Sequence, residues 1–386
     1  MTFQTQLRIP GPTPLPDRVV RSMSRPMVDH RGPEFAAILS EITAGAKRVF
    51  KTANDLLLLS CSGTGGLESA VANLVSPGDE VVAALCGNFG ERFAALAAAY
   101  GADVVRLEVE WGQPVDPDDL ARVLESHPKA KVVLLTHNET STGLTNPLRE
   151  LARVANDAGK IVVVDGVSSI SSIAIETDEW GIDVAVSGSQ KGWMAPPGMA
   201  FVSVSERAWA QQAQARSPRF YFDWKAAKTW AEKGMTPFTP AIGIAFALQE
   251  GLRMLEEEGL DAVYERHARL ARATQAGLQA LGFHLFAQEG YRSNTVTSAV
   301  PPPGLDVGAL RKLLSGKYGV VVGGGQGKMS GKLIRVGHLG AVAEGDVVQV
   351  LWAIEQALEE LDIAPAGGRG VAAVTASLQG LPASAH

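Results

Sequence analysis

Two residues, each closing an apolar run, carry the strongest chemical signal in this chain. Lys191 stands in Val186-Ser187-Gly188-Ser189-Gln190-Lys191, just after the apolar run Asp183 to Val186, and Gly192-Trp193-Met194-Ala195-Pro196-Pro197-Gly198 follows. An amine at the mouth of a buried strand, between glycine turns and prolines, is held where water is scarce. Burial disfavours the ammonium and lowers the proton affinity of the amine, which suits a lysine that condenses with a carbonyl. Upstream, Ile161-Val162-Val163-Val164 runs straight into Asp165. Each residue alone has an ordinary reading: a strand-end Asp often caps the next helix, and most lysines are solvated surface charges. The pair is more specific. One residue to hold an aldehyde and a carboxylate to face a pyridine nitrogen are the minimum that pyridoxal phosphate asks of a protein.

Four further stretches bear on that chemistry. Ser62-Gly63-Thr64-Gly65-Gly66-Leu67-Glu68 follows an apolar run and opens a helical pattern, so its backbone N–H groups form an anion site suited to a phosphate. A purely structural turn fits the same residues. The dinucleotide fingerprint does not, because the third glycine of G-x-G-x-x-G would fall on Glu68. Phe89, in Gly87-Asn88-Phe89-Gly90-Glu91, is placed to stack on a flat ring or to anchor a loop in the core. His137-Asn138-Glu139-Thr140-Ser141-Thr142-Gly143 is a run of small polar residues after a buried strand, where open α/β sheets bind ligands. No second His or Cys lies at ligand spacing from His137, so no metal is expected, and Glu139 also reads as a buried structural acid. Arg335, in Ile334-Arg335-Val336-Gly337, lies on an apolar strand and must find a partner if buried. A substrate carboxylate matches its planar fork, and a structural ion pair would serve as well.

These residues need a frame. Strand patterns occur at Leu56 to Leu59, Glu80 to Leu85, Val104 to Val109, Val132 to Thr136, Ile161 to Val164, Asp183 to Val186 and Met199 to Val204. Amphipathic stretches alternate with them: Leu67 to Val75, Arg92 to Tyr100, Pro117 to Glu125 and Leu148 to Ala158. Continuous apolar strands alternating with helices predict an α/β fold with a mostly parallel sheet covered on both faces. Only the Lys191 loop separates the last two strands, which predicts an antiparallel excursion at a sheet edge. Long helices follow at Ala241 to Glu258 and Leu260 to Leu281, and then strands at His284 to Ala287, Thr295 to Val300, Gly319 to Val322 and Leu333 to Val336. With helices at Val307 to Leu314 and Glu344 to Leu361, that second set reads as a smaller α+β domain. The expected division is an arm over 1–20, a large domain over 21–258, a small domain over 259–364 and a flexible tail over 365–386.

Composition sets the outer bounds. The chain has 386 residues, 46% hydrophobic and 20% charged, enough for a large core and about two domains. A net charge of -6 with interspersed signs argues against nucleic-acid or anionic-membrane partners. Cys61 and Cys86 both sit in apolar segments and read as reduced, buried thiols. Met1-Thr2-Phe3-Gln4 opens no secretory pattern, no apolar run reaches the roughly 18 residues of a membrane span, and Ser384-Ala385-His386 is not a peroxisomal tripeptide. A cytoplasmic protein is expected.

In order and spacing, these motifs resemble the class V aminotransferases of pyridoxal-phosphate fold type I. The resemblance is greatest to the alanine–glyoxylate and serine–glyoxylate (serine–pyruvate) enzymes. It runs from about Leu7 to about Leu361, with Pro10-Gly11-Pro12-Thr13-Pro14-Leu15-Pro16 at the front and Gly188-Ser189-Gln190-Lys191 with Pro196-Pro197-Gly198 as the most specific part. It implies a large domain with a mostly parallel seven-stranded sheet and a smaller C-terminal α+β domain. It also implies that Lys191 is the Schiff-base lysine and that Asp165 partners the pyridine nitrogen. Thr64, Gly65 and Gly66 would cradle the phosphate, with Gln190 close by. Phe89 would stack on the ring where many relatives have Trp, Val167 would lie beneath it, and Thr140 would replace a cofactor-binding Ser. Thr239 would reach the phosphate of a neighbouring subunit, implying a homodimer, although the tyrosine that often accompanies it is here Thr236. Arg335 would bind the substrate carboxylate, with Gly11 beside the substrate.

The implied reaction moves an amino group from alanine or serine to a 2-oxo acid, glyoxylate or pyruvate. Two rivals remain. A desulfurase or kynureninase-like lyase is one; a desulfurase would carry His where Gln190 stands and a mobile late Cys, and no Cys follows Cys86. A nicotinamide dehydrogenase is the other, and Glu68 breaks its pattern.

Overall fold

The computed structural model describes residues 5–380, so the readings made on Met1–Gln4 and on Ser384–His386 lie outside the described residues. The strands, in chain order, are β1 Gln6–Arg8, β2 Asp55–Leu59, β3 Glu80–Leu85, β4 Asp103–Glu108, β5 Val132–Thr136, β6 Asn138–Glu139 and β7 Leu144–Thr145. They continue with β8 Ile161–Asp165, β9 Val184–Gly188, β10 Ala200–Val204, β11 His284–Leu285, β12 Val296–Val300, β13 Val320–Gly324 and β14 Ile334–Gly337.

Seven of these build the large sheet, in the order β2-β10-β9-β8-β5-β3-β4. Every pairing is parallel except those of β10, which runs antiparallel to both β9 and β2. The antiparallel strand is therefore one in from the edge, because β2 returns to cover it. The sheet is apolar on both sides for a simple reason: alternate residues feed two different cores. On β3, Val82 and Ala84 join one core, while Val81, Ala83 and Leu85 join the other. The helix Gly63–Leu74 packs Leu67, Val71 and Leu74 into the second core, and Pro33–Phe50 packs Phe35, Ile38 and Ile42 into the first.

The smaller sheet has the order β1-β13-β14-β12-β11. The helices Leu260–Ala280, Val307–Lys317 and Glu344–Glu360 pack Leu270, Leu310 and Ile354 into its core beside Val320 and Ile334. The stretch expected as an N-terminal arm takes part in this sheet: β1 pairs parallel with β13, and Arg8 forms an ion pair with Asp346.

The stretch from Ala366 also differs from expectation. Instead of a flexible tail, Arg369–Leu378 is a helix with Val374 fully buried against Gly277 and Leu351. The carboxylate of Glu355 accepts the backbone N–H groups of Gly367 (3.2 Å) and Arg369 (2.8 Å), which fixes the approach. The small residues that read as low order are those a close helix contact needs. A Cβ on Gly277 would come within 2.7 Å of Val374.

Candidate active site

A cavity of about 230 Å³ opens at the carboxyl ends of β2, β8 and β9. Residues from Gly11 to Pro197 line it, which brings together segments far apart in the chain. A larger groove of about 430 Å³ lies between the helix Pro33–Phe50 and the segment Ala227–Pro237, but Lys47 is its only ionisable lining residue. The chemistry concentrates in the smaller cavity.

Lys191 owes its position to the hairpin between β9 and β10. Ser189 ties that loop shut: its N–H donates to Met199 O (2.9 Å), and its hydroxyl donates to Pro196 O (2.6 Å). Trp193 anchors it from below, stacked on Phe201 at 4.3 Å with its indole N–H on Ser187 Oγ. The Lys191 amine is buried and donates to Pro10 O at 2.5 Å. Its proton affinity falls to about 8, first through burial and then through the charge of Arg335, while Asp165 opposes the shift. Gly11, at φ +124°, is forced by this approach: a Cβ there would come within 2.7 Å of Lys191 Nζ. Thr13 holds the other side, donating its N–H to Gln190 O and its hydroxyl to Lys191 O.

Asp165 ends β8 and faces the same space. Burial pushes its carboxyl up to about 6, against the N–H of Val167 at 3.0 Å. At neutral pH it is still a carboxylate, a buried acceptor ready for a cationic donor. Phe89, Val167, Thr64, Thr140 and Gln190 also line the cavity. The Thr140 hydroxyl donates to Ser168 Oγ at 2.9 Å. Gln190 Oε1 is buried without a hydrogen-bond partner among the described residues.

Other expected residues fall elsewhere. Gly65 and Gly66 do not line the cavity. A Cβ on Gly65 would meet Cys61 at 2.8 Å, and one on Gly66 would meet Val186 at 2.7 Å, so these glycines let the helix pack close to its strands. Glu139 is structural. Its carboxylate accepts the N–H groups of Phe89, Gly90 and Ser141, which fixes the start of the helix Asn88–Ala99 that carries Phe89. His137 is buried against Trp180, and burial lowers it to about 4, so it is neutral.

Arg335 is buried but is not among the residues that line the cavity, and among the described residues it has no acid partner. Its Nε–H donates to Gly324 O at 2.7 Å and its Nη1 to Thr140 O at 3.2 Å. Burial lowers it to about 10, so it keeps its charge at neutral pH. With Nε engaged, a carboxylate must meet it end-on through Nη1 and Nη2. Thr239 lies outside the cavity, exposed in a shallow cleft with Tyr221 and Phe238, and the Thr236 hydroxyl turns inward to Phe238 O.

The comparisons with known proteins settle the family. Residues 8–338 match the family model described as Aminotransferase class-V. The chain is a class-V aminotransferase. A soluble hydrogenase small subunit from Synechococcus is 41% identical over 97% of this chain and 98% of that one. An L-aspartate–glyoxylate aminotransferase from Paracoccus denitrificans is 37% identical over 97% and 96%. The solved alanine–glyoxylate aminotransferase from Nostoc superposes with a TM-score of 0.89 at 32% identity, covering 93% of this chain and 96% of that one. The fold is that of fold type I, and the cofactor of this aminotransferase is pyridoxal phosphate.

The cavity fits that group. Asp165 offers a buried anion for a protonated ring nitrogen, Lys191 an amine of lowered basicity, and the helix start at Ser62-Gly63-Thr64 backbone N–H donors for a phosphate, with the Gln190 amide in the same cavity. Sequence reasoning missed two cavity residues, Ser168 and Arg92. Arg92 follows Phe89 at i+3, one helical turn on, and that spacing is a legible sign that both reach the same wall.

Proposed function

We propose that this aminotransferase moves the amino group of alanine or serine to a small 2-oxo acid, glyoxylate first and pyruvate second. The observation that carries the reading is the pairing, in one small cavity, of a buried amine near neutrality with a buried carboxylate. When bound, pyridoxal phosphate supplies an aldehyde that exchanges between amines and a ring that takes up electrons as a substrate proton leaves. Asp165, ionised above about pH 6, holds a proton on the ring nitrogen. Lys191 Nζ, displaced by the substrate amine, would take the proton from the substrate α-carbon and pass it to the carbon that carried the cofactor's aldehyde, as net amino transfer requires. An amine titrating near 8 is suited to both directions, because neither protonation state is scarce at neutral pH. Arg335 orients the substrate through its carboxylate, and Gly11 leaves room for the lysine to move.

Glyoxylate is supported as acceptor because both the Paracoccus and the Nostoc relatives carry it in their names, whereas their donors differ. A small donor is supported by the sequence motifs, which place a single arginine, Arg335, for a substrate carboxylate. A homodimer completes the reading. Thr239 faces outward near Phe220, 81% exposed, and Tyr221, 45% exposed, an apolar patch that a second copy would cover. A panel of donors against acceptors, followed by the visible band of the bound cofactor, tests the assignment. Bleaching by alanine or serine and its return with glyoxylate is the expected result. Faster turnover with aspartate or with another donor class would overturn the choice of a small donor.

A further inference from the structure

Arg92 has no part in the steps above, yet it stands in the cavity wall. It lies in the second turn of the helix Asn88–Ala99, and its guanidinium centre is 4.9 Å from the ring centroid of Phe89. Its Nη1 reaches Thr64 Oγ1 at 3.3 Å. The preceding residue, Glu91, pairs with Arg106 instead. Among the described residues no ion pair involves Arg92; the one acid lining the same cavity is Asp165, on which the charge of Arg92 is the smallest of several influences.

The place it reaches is the start of the helix Gly63–Leu74. There the Ser62 side chain already takes the Gly65 N–H and Ser62 O takes that of Gly66, so the N–H groups of Gly63 and Thr64 remain to be satisfied. Two such donors and a helix end worth about half a charge suit an anion. They do not balance a phosphate monoester, which carries about -1.5 to -2 near neutral pH. Lys191 and Asp165 are occupied with the other end of the cofactor, and Arg335 with the substrate.

We propose that Arg92 supplies the missing charge, binding the cofactor's phosphate through its Nη edge while its planar face rests on Phe89. One side chain thereby couples the grip on the phosphate to the position of the stacking ring. The inference rests on the pyridoxal phosphate assignment. A cation–π contact holds the guanidinium flat, so little side-chain freedom is lost when the phosphate arrives.

Titration of the cofactor-free protein with pyridoxal phosphate and, separately, with pyridoxal tests it, with the dissociation constant read from the visible band rather than from turnover. Arg92→Gln is expected to weaken pyridoxal phosphate about 10- to 100-fold, as for loss of a charge-assisted hydrogen bond, and pyridoxal less than about threefold. Arg92→Lys, which keeps the charge and loses the plane, falls between. Equal weakening of both ligands would place Arg92 in ring stacking alone and overturn the proposal. So would unchanged affinity for pyridoxal phosphate with a raised KM for a dicarboxylic donor. Arg92 is exposed, so melting of the cofactor-free variant should match that of the wild type. Failure of the wild-type protein itself to take up pyridoxal phosphate would refute the cofactor assignment instead.

Discussion

Arg335→Lys is the sharpest probe of how substrate is held. The arginine spends Nε on Gly324 O and one Nη1 hydrogen on Thr140 O, leaving an end-on pair of donors for a carboxylate. Lysine keeps the positive charge but offers one donor point and cannot reproduce both backbone anchors together with a two-pronged grip. Losing one charge-assisted bond costs about 1.5–3 kcal/mol, or about 10- to 150-fold in kcat/KM for every α-amino and α-oxo acid. The same change leaves a buried carbonyl without its donor, costing about 1–3 kcal/mol of stability, so the variant should also melt somewhat earlier. Burial lowers Arg335 only to about 10, so the wild type keeps this charge between pH 6 and 9. Steady-state kinetics with alanine and glyoxylate measures the effect, and slow turnover of an amine without a carboxylate is the control. If the amine suffers the same loss, Arg335 acts on something other than the substrate carboxylate and the argument fails.

Three further outcomes follow from the site and its frame. Lys191→Ala should abolish transamination while the circular dichroism spectrum stays unchanged, and retained turnover would remove the lysine from the chemistry. Asp165→Asn should slow the amino-donor half-reaction by orders of magnitude, yet make the cofactor-free protein more stable at pH 7–8. The folded carboxyl is raised to about 6 from 3.8, so its burial penalty is fully present above about pH 6 and vanishes as pH falls below 3.8. That corresponds to about 2–3 kcal/mol at pH 7.5, and denaturant melts showing the wild type more stable there would contradict it. Val374→Ala should cost about 1–3 kcal/mol, since the side chain is fully buried between Gly277 and Leu351; an unchanged unfolding midpoint would mean that the last helix adds nothing to the fold.

The large sheet was legible because its strands are short apolar runs whose neighbours are amphipathic helices, a pattern with few alternative folds. The two central residues were legible for the same reason: Lys191 and Asp165 each end such a run, where a polar side chain must face a cavity. Position in the sheet was less accessible. Nothing in β2 says that it pairs outside β10, since that choice depends on contacts across more than 140 residues. Gly65 and Gly66 misled because the same residue serves close ligand approach and close helix packing, and only the neighbouring Cys61 and Val186 tell them apart. The last helix misled because alanine, glycine and serine mark both disorder and tight packing. Arg92 was hidden because an arginine heading an amphipathic helix reads as an ordinary solvated charge.

The pairing of β1 with β13 also bears on how the protein comes into being. Gln6 meets Val320, so the first strand waits for a partner made more than 300 residues later. At about 5–20 residues per second, that is roughly 15–60 seconds on the ribosome. Pro10, Gly11 and Pro12 are in the same position, since the lysine they enclose emerges about halfway through that interval and Arg335 only after it. The lining of the cavity ends at Pro197, so the contact expected with the substrate carboxylate, Arg335, is the last part of the site to be made. The waiting strand is only three residues long and carries Gln6 and Arg8 around a single Leu7, which makes it a poor template for a stray partner while it waits.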